Sequence, residues 1–313
     1  MQLQPTSETK SYAGSLSGPL LIMVAALLWA VDGLIRRHLY SLPPITIIFF
    51  EHAIGLIILF PFIYKYVFKT KMTPREWFLV FVVSILSGLL GTLWFTTALL
   101  KVHFISFSVV FLLQKLQPLF AIGTAIIFLK EKFEKRYIKW AVLAIVAAYF
   151  VTFKNGYVNL TTGEGTIIAA LYALGAAFAW GSSTTFSKML LGKVRAEVST
   201  FYRFLFTIII ALPVLWIFGY SASLGAVTLT QFELLILIAV STGMVALLIY
   251  YKGLTKTPVH ISTILELLFP FAAIFIDMVV FHATLGISQW IAVPIFLFSI
   301  YKIVKLRENI TLK

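Results

Sequence analysis

The stretch LQPLFA at residues 116–121 recurs 152 positions later as LFPFAA at residues 268–273. In both halves a proline follows a polar residue by four positions, as Gln114 and Pro118 in the first and as Glu266 and Pro270 in the second. A proline inside a helix displaces the carbonyl four residues before it and bends the helix there. The two stretches therefore predict two bent helices at equivalent places of a duplicated chain, each with a polar side chain at its bend.

The composition of the chain is that of a membrane protein. Of its 313 residues, 60% are hydrophobic and only 12% are charged, whereas an ordinary soluble domain has roughly 25% charged residues. The net charge of +13 does not indicate nucleic-acid binding, because Lys and Arg occur in short clusters between apolar runs. The absence of cysteine excludes disulfides and cysteine-based metal sites. We therefore predict an all-α integral membrane protein.

Ten apolar runs approach the roughly 20 residues that a helix needs to cross a bilayer. The predicted spans are residues 18–38, 44–66, 76–99, 103–129, 137–154, 165–190, 198–219, 231–252, 259–281 and 287–304. With the N-terminus in the cytoplasm, these spans place 19 of the 25 Lys and Arg residues on the cytoplasmic side and four on the other. The positive-inside rule requires such a bias. We therefore predict a plasma-membrane protein with cytoplasmic tails, residues 1–17 and 305–313.

Further residues follow nearly the same offset between the two halves. Trp29 corresponds to Trp180 and Gly91 to Gly243. The chain is thus predicted to contain two five-helix repeats, residues 18–154 and 155–304. Because five is odd, the second repeat enters the membrane from the opposite side, and a pseudo-two-fold axis lies in the membrane plane. Secondary transporters built this way bind their substrate near the midplane, between the repeats.

The motifs at the ends of the two halves resemble those of a known family. LLQKLQPLFA at residues 112–121, followed by FLKE at 128–131, and ILELLFP at 264–270 are similar to the end of an EamA-type repeat. The resemblance is to the drug/metabolite transporter superfamily and covers about residues 18–304. It implies a ten-helix transporter of small metabolites without a bound cofactor. Relatives carry amino acids, sugars, nucleotide sugars and drugs, so the resemblance does not indicate one substrate.

Two departures from the family pattern concern charged residues. Similar repeats often carry an arginine in their second helix, as Arg203 does in the second repeat, but the first repeat has Glu51. The first repeat ends its fourth helix with a glutamate, whereas the second has His282-Ala283-Thr284.

Polar side chains within the spans are the candidates for the site, because a charge at the centre of a span costs about 2.5–3.5 kcal/mol and usually faces the bundle interior. Glu51 and Glu266 could bind a proton or a substrate amine, and Lys115 with Arg203 could bind a carboxylate or a phosphate. The remaining candidates form stripes on spans one, four and six: Trp29, Asp32, Gln114, Gln117, Trp180, Ser183 and Thr184.

The charged candidates also have a structural interpretation. Glu51 could form an ion pair with its counterpart Arg203, and Lys115 could pair with a glutamate of another helix, Glu51 or Glu266. Neither pairing excludes a role in transport.

Several other side chains are predicted near the membrane surfaces. For Arg36 and Lys188, snorkelling toward opposite surfaces is favoured over binding a substrate. For Tyr250 and Tyr251, positions in the aromatic belt at the interface are favoured over a role as gates. For Trp29 and Trp180, belt positions and stacking against a ligand remain equally open.

The sequence contains no Walker loop, no histidine-rich metal spacing and no nucleophile elbow. We therefore predict neither an enzyme nor an ATP-driven pump, and no cofactor or metal. The predicted function is secondary active export of a small polar metabolite such as an amino acid, by alternating access. The proton gradient is the predicted energy source, because Glu51 and Glu266 can bind and release protons. The alternatives are a membrane scaffold or receptor, an uncoupled facilitator, and a channel. Substrate identity and oligomeric state are not indicated by the sequence.

Overall fold

The computed structural model describes residues 17–101, 109–132, 134–158, 160, 166–280, 282 and 284–311, and all regular structure within them is helical. The helices of the first repeat are α1 Ser17–Arg36, α2 Pro44–Lys69, α3 Pro74–Lys101, α4 Val109–Gln114, α5 Gln117–Leu129 and α6 Lys135–Thr152. Those of the second repeat are α7 Thr166–Leu191, α8 Ala196–Ile217, α9 Leu229–Lys256, α10 Val259–Leu265, α11 Leu268–Val280 and α12 Ile287–Thr311. Two predictions fall outside these residues, namely the N-terminal tail before Ser17 and the start of the fourth span at 103–108.

Seven helices of the described chain are long and apolar enough to cross a membrane: α1, α2, α3, α7, α8, α9 and α12. No more than half of any of these crossing segments is buried inside the protein. Large apolar side chains such as Phe62, Trp216 and Ile287 are instead exposed on the outside of the bundle. A bilayer supplies the apolar surroundings that these faces need. The chain is therefore a multi-pass membrane protein, and the count of ten spans stays a prediction.

The predicted bends are complete breaks. The fourth span is interrupted between α4 and α5 at Lys115 and Leu116, and the ninth between α10 and α11 at Glu266 and Leu267. Pro118 occupies the first turn of α5, where its missing N–H removes no helical hydrogen bond. The chain thus leaves the helical path just before each proline, where the sequence predicted a bend, and Pro118 and Pro270 stand in the first turn of the helix that follows.

The packing of the helices follows the duplication. α1 packs against α9 and α11, just as α7 packs against α3 and α5. α2 packs against α8, and α6 against α12, so that these two pairs join equivalent helices of the two repeats. Exchanging the repeats maps this set of contacts onto itself, as pseudo-two-fold symmetry requires. The direction of the axis relative to a membrane stays a prediction.

Helices α3 and α9 also repeat each other in detail. Thr73 and Thr228 cap them through the same reciprocal hydrogen bonds with the residue three positions later. Each helix then widens into a π-helical section, Ser84–Gly91 in α3 and Ala239–Val245 in α9. Such sections occur frequently at functional sites.

Gly91, at the end of the first π-helical section, lies against the indole of Trp180. A Cβ at this position would overlap the indole ring, whereas a Cβ at Gly123 would meet no atom within 4 Å. We expect Gly91→Ala to destabilise the protein by about 1–3 kcal/mol through overpacking, and Gly123→Ala to have little effect. Thermal unfolding of the purified variants in detergent measures both, and equal unfolding temperatures would contradict the close approach.

The bundle has two unlike ends. The end named here the basic end contains the connections 70–73, 130–134, 192–195 and 257–258, where Lys and Arg are frequent. The opposite end contains connections such as 37–43 and 218–228, where Thr46 and Ser223, one from each repeat, are joined by a hydrogen bond of 2.5 Å. The two ends also differ in the access that they give to the interior of the bundle.

Candidate functional site

A cavity of about 320 Å³ lies between the two repeats, within the size range of small-molecule sites. The predicted site residues that line it are Trp29, Asp32, Glu51, Gln114, Lys115, Gln117, Pro118, Trp180, Ser183, Thr184, Arg203 and Glu266. The side chain of Pro270 lies outside the described part of the structure. The structure thus brings the predicted side chains of both repeats together around one space. Their role in binding a substrate stays a prediction.

Arg36 organises the charged part of the cavity wall. Its Nε donates to Asp32 Oδ2, and its Nη2 donates to Glu51 Oε2 at 2.7 Å. Thr242 Oγ1 completes this Arg36 cluster by donating to Asp32 Oδ1 at 2.5 Å. The three charged side chains are only 11–17% exposed. The predicted snorkelling of Arg36 is therefore wrong, because two buried carboxylates hold its guanidinium inside the bundle.

Glu51 does not have the predicted partner. Its carboxylate bonds Arg36, fifteen residues earlier in the chain, rather than its counterpart Arg203. Gly243 provides the space for it, since a Cβ at that position would come within 3.1 Å of Glu51 Oε1. Gly91 and Gly243 thus occupy equivalent positions in the two repeats, but one faces an indole ring and the other a carboxylate.

A second polar group, the Glu266 cluster, surrounds the break between α10 and α11. Gln117 Nε2 donates to Glu266 Oε2 at 2.9 Å, and Tyr250 Oη donates to Glu266 Oε1 at 2.7 Å. Gln114 Nε2 donates to Gln117 Oε1 at 3.1 Å, and Thr184 Oγ1 lies 3.3 Å from Tyr250 Oη. Within the described part of the chain, the side chains that hydrogen-bond the Glu266 carboxylate are therefore neutral.

Tyr250 was not among the predicted site residues. It is buried and belongs to the Glu266 cluster, so its prediction as a belt residue is wrong. Tyr251 is buried as well and accepts a hydrogen bond of 3.2 Å from Arg203 Nη1. The spacing of seven residues between Gly243 and Tyr250 places them on one helix face, and this spacing could have indicated that Tyr250 points inward.

Lys115 and Arg203 retain unused hydrogen-bond donors. Lys115 Nζ is buried without a hydrogen-bond partner among the described residues and lies 5.8 Å from the centre of the Phe269 ring. Arg203 Nε is likewise buried without a partner in this part of the chain. The predicted pairing of Lys115 with Glu51 or Glu266 is absent from the described residues.

The two predicted tryptophans lie inside the bundle. Trp29 Nε1 donates to the carbonyl of Thr242 at 3.1 Å, and its ring centre lies 5.1 Å from that of Tyr250. The ring of Trp180 lies 5.2 Å from that of Phe95. Both indoles line the cavity, which favours contact with a ligand over a belt position.

The cavity is closed at the basic end. Its lining reaches Tyr40 and Leu42 at the opposite end, whereas no described residue of the basic-end connections lines it. Lys188 donates to the carbonyls of Leu254, Thr255 and Thr257 and so caps the end of α9. The ammonium group of Lys188 thus reaches the end of α9 at the basic end, and its snorkelling to a membrane surface stays a prediction.

A group of hydrogen bonds joins the two repeats at the same closed end. Glu131, after α5, accepts hydrogen bonds from the backbone N–H of Val259 at 2.8 Å and from His260 Nδ1 at 2.6 Å. Tyr137 Oη donates to the carbonyl of His260 at 2.5 Å. We call Glu131, Tyr137 and His260 the latch. Because it holds the start of α10 to the end of α5, these helices cannot separate without breaking it.

The latch is expected to be sensitive to acid. Burial of the Glu131 carboxylate opposes its ionisation, but the hydrogen bonds from His260 and Val259 outweigh burial and hold the pKa of Glu131 below its usual range. The stability that results is fully present above the ordinary glutamate pKa of about 4.3. It is lost as the pH falls through the lower pKa of the folded protein.

We expect Glu131→Gln to reduce this acid sensitivity. The unfolding temperature of the variant should lie below that of the unchanged protein at pH 7, and the difference should shrink as the pH falls below about 4. Glu134→Gln, at an exposed position of the same connection, is the matched control. It should leave the unfolding temperature unchanged at pH 7 and at acidic pH. A difference between Glu131→Gln and the unchanged protein that is constant with pH would contradict the role of the ionised carboxylate.

Comparison with known proteins agrees with this architecture. The sequence model of the EamA-like transporter family matches residues 16–153 and 167–305, one copy for each repeat. Riboflavin transporter ImpX of Fusobacterium nucleatum subsp. nucleatum (strain ATCC 23726 / VPI 4351) is 33% identical over 294 residues, which are 93% of this chain and 98% of that protein. A crystal structure that is 16% identical superimposes with a TM-score of 0.74 over 94% of this chain and 98% of its own. At that identity the crystal structure shows the fold alone.

Proposed function

Because the chain belongs to the EamA-like transporter family, we propose that it is a secondary transporter that carries a small molecule through the cavity between its repeats. The proposed topology has ten spans in two inverted repeats, residues 18–154 and 155–304, in the plasma membrane. The basic end, with both termini, faces the cytoplasm in this topology. The two broken helices contribute the fourth and the ninth span.

The proposed substrate is riboflavin or a flavin of similar size. The name of the relative suggests it, since that protein shares a third of its residues over nearly the whole chain. The observation that supports it here is the lining of the cavity, where the rings of Trp29, Trp180 and Tyr250 accompany neutral amide and hydroxyl groups. Aromatic walls suit the stacking of a planar ring system, and the neutral groups suit the hydroxyls of a ribityl chain.

An amino acid, the substrate class predicted from the sequence, is less well matched. A zwitterion needs one free carboxylate for its amine and one free cation for its own carboxylate. Asp32 and Glu51 already bond Arg36, and Glu266 accepts hydrogen bonds at both of its oxygens. An uncharged substrate leaves these pairs intact.

The proposed mechanism is alternating access. In the described conformation the cavity extends toward the opposite end and is closed at the basic end by the latch. Transport then requires the latch to open while the helices of the opposite end close over the substrate. The proposed direction of transport is export, as predicted from the sequence.

Proton coupling is proposed to act through Glu266 rather than through Glu51. Glu51 is held by a cation, so its protonation would leave Arg36 with a single carboxylate. Glu266 bonds neutral side chains of two different elements, α5 and α9, and no charged side chain among the described residues. A change in its charge therefore acts directly on contacts between moving parts.

Flux measurements in proteoliposomes test the proposed function. Purified protein should carry riboflavin in a saturable manner, faster with an imposed pH gradient, and unlabelled flavin should compete whereas amino acids should not. Reversing the gradient reports the direction of transport. Saturable flux that ignores the gradient would indicate an uncoupled facilitator, unsaturable flux a channel, and no flux of any tested compound a scaffold or receptor. Saturable amino-acid flux without flavin flux would overturn the proposed substrate.

A further inference from the structure

We propose that Lys115 recognises the substrate by donating hydrogen bonds to a carbonyl oxygen of its ring system, at a subsite formed by the two broken helices. This assignment rests on the proposed function and adds to it the group of the flavin that is recognised. The observation that supports it is a buried amine with no hydrogen-bond partner among the described residues.

Lys115 is 7% exposed and lines the cavity, and no described residue forms a hydrogen bond with its Nζ. Burying an ammonium group costs several kcal/mol unless other groups replace its hydration. Buried polar groups are therefore almost always hydrogen-bonded, and an exception calls for an explanation. A partner that occupies the cavity only during transport is such an explanation.

The carboxylates of the cavity are engaged elsewhere. Asp32 and Glu51 accept hydrogen bonds from Arg36. Both oxygens of Glu266 accept hydrogen bonds from neutral side chains, one from α5 and one from α9. Among the described residues, Lys115 and Arg203 are thus the cations of this wall that bond no carboxylate, and of the two Arg203 still hydrogen-bonds a side chain, that of Tyr251.

Lys115 lies at the break of the fourth span, and its side chain lines the cavity. Lys115 lies in the turn between α4 and α5, which is closed by the hydrogen bond from Leu116 N to the carbonyl of Leu113 at 3.0 Å. The ring of Phe269, at the start of α11, lies 5.8 Å from Lys115 Nζ. A ring at this distance stabilises a cation and presents a flat apolar surface. Both breaks therefore contribute to one subsite, an amine from the first and a ring from the second.

The chemistry of the amine restricts what it can bind. A lysine ammonium has three donors and no acceptor, so its partner must supply oxygen or nitrogen lone pairs. The pyrimidine ring of a flavin carries two carbonyl oxygens at one edge of a planar system that can stack on Phe269. The hydroxyls of the ribityl chain also have lone pairs, and fragments of the flavin distinguish these two sources.

Equilibrium binding in detergent, followed through the quenching of flavin fluorescence, tests the assignment. Lumichrome retains the three-ring system and its carbonyls without the ribityl chain, and ribitol, which is not fluorescent, represents the chain alone as a competitor of riboflavin. We expect Lys115→Met to weaken the binding of riboflavin and of lumichrome by the same factor, about 10- to 100-fold, as for a lost hydrogen bond to a charged group. Lys115→Arg should recover part of the affinity.

Two controls separate recognition from folding. Lys65→Met removes an exposed lysine of α2 and should leave the affinity unchanged. Because Lys115→Met removes an unpaired buried charge, its unfolding temperature without ligand should be equal to or above that of the unchanged protein.

Each outcome has a distinct meaning. Unchanged riboflavin affinity in Lys115→Met would overturn the assignment while leaving the proposed function intact. Weaker riboflavin binding with unchanged lumichrome binding would overturn the ring carbonyl in favour of the ribityl chain. Absence of flavin binding by the unchanged protein would overturn the proposed substrate itself, together with the assignment.

Discussion

Arg36→Met is expected to lower the free energy of unfolding by about 3–5 kcal/mol, the typical effect of removing one partner from a buried charge pair. The substitution leaves Asp32 and Glu51 buried in the bundle without the guanidinium that both of them bond. The hydrogen bond from Thr242 to Asp32 does not neutralise either charge. Thermal unfolding and the yield of monodisperse protein in detergent measure the loss.

The control for this prediction is Arg195→Met. Arg195 is 57% exposed and lies 3.6 Å from Glu197 at the basic end, and an exposed pair of this kind contributes about 0–1 kcal/mol. The variant Asp32→Asn, Glu51→Gln, Arg36→Met removes all three charges together and should recover most of the lost stability. A combined variant as unstable as Arg36→Met would show that packing of the arginine side chain, not its charge, holds the cluster.

Glu266→Gln is expected to abolish the stimulation of transport by a proton gradient. The amide keeps an oxygen that can accept a hydrogen bond, so it preserves much of the contact with Tyr250 or Gln117. It cannot change its charge, however, and so it cannot couple protonation to the movement of α5 and α9. Flux into proteoliposomes, with and without an imposed pH gradient, gives the stimulation as a ratio, and the ratio for Glu266→Gln should be close to one.

Glu51→Gln is the comparison that distinguishes the two candidate carboxylates. It weakens the Arg36 cluster and should lower the unfolding temperature, but it should retain the response to the gradient. Gradient stimulation that survives in Glu266→Gln and disappears in Glu51→Gln would show that the coupling acts through Glu51 and not through Glu266. Survival in both variants would favour facilitated diffusion.

The sequence was sufficient to predict many of the residues that face the cavity, although not Arg36 or Tyr250. A polar residue in an apolar span has few places to go except the bundle interior, and this reasoning identified Asp32, Lys115 and Glu266. The duplication was equally readable, because tryptophan, glycine and proline recur at a nearly constant offset and are too specific to match by chance among apolar helices. The EamA-type resemblance is confirmed by the family match over both repeats.

The partners of these residues were not predictable in the same way. Arg36 and Glu51 lie on different helices, and Glu131 meets His260 across 129 positions of the chain. Such pairings depend on how helices rotate and pack, which local patterns do not encode. Arg36 in particular stands at the end of an apolar helix, where snorkelling is the usual outcome, and only the neighbouring carboxylate on α2 reverses it.

The latch has a consequence for how the protein is distributed between its two facing states. At the offset of 152 residues between the repeats, Ala283 corresponds to Glu131. The second repeat therefore has no carboxylate at the position equivalent to Glu131. If the halves were identical, the two states would be equally populated, and the latch adds free energy to one of them alone. Each 1.4 kcal/mol of such a difference shifts the ratio of populations tenfold. A single position far from the cavity can therefore adjust the resting state, and with it the apparent affinity on each side of the membrane, without altering any residue that contacts the substrate.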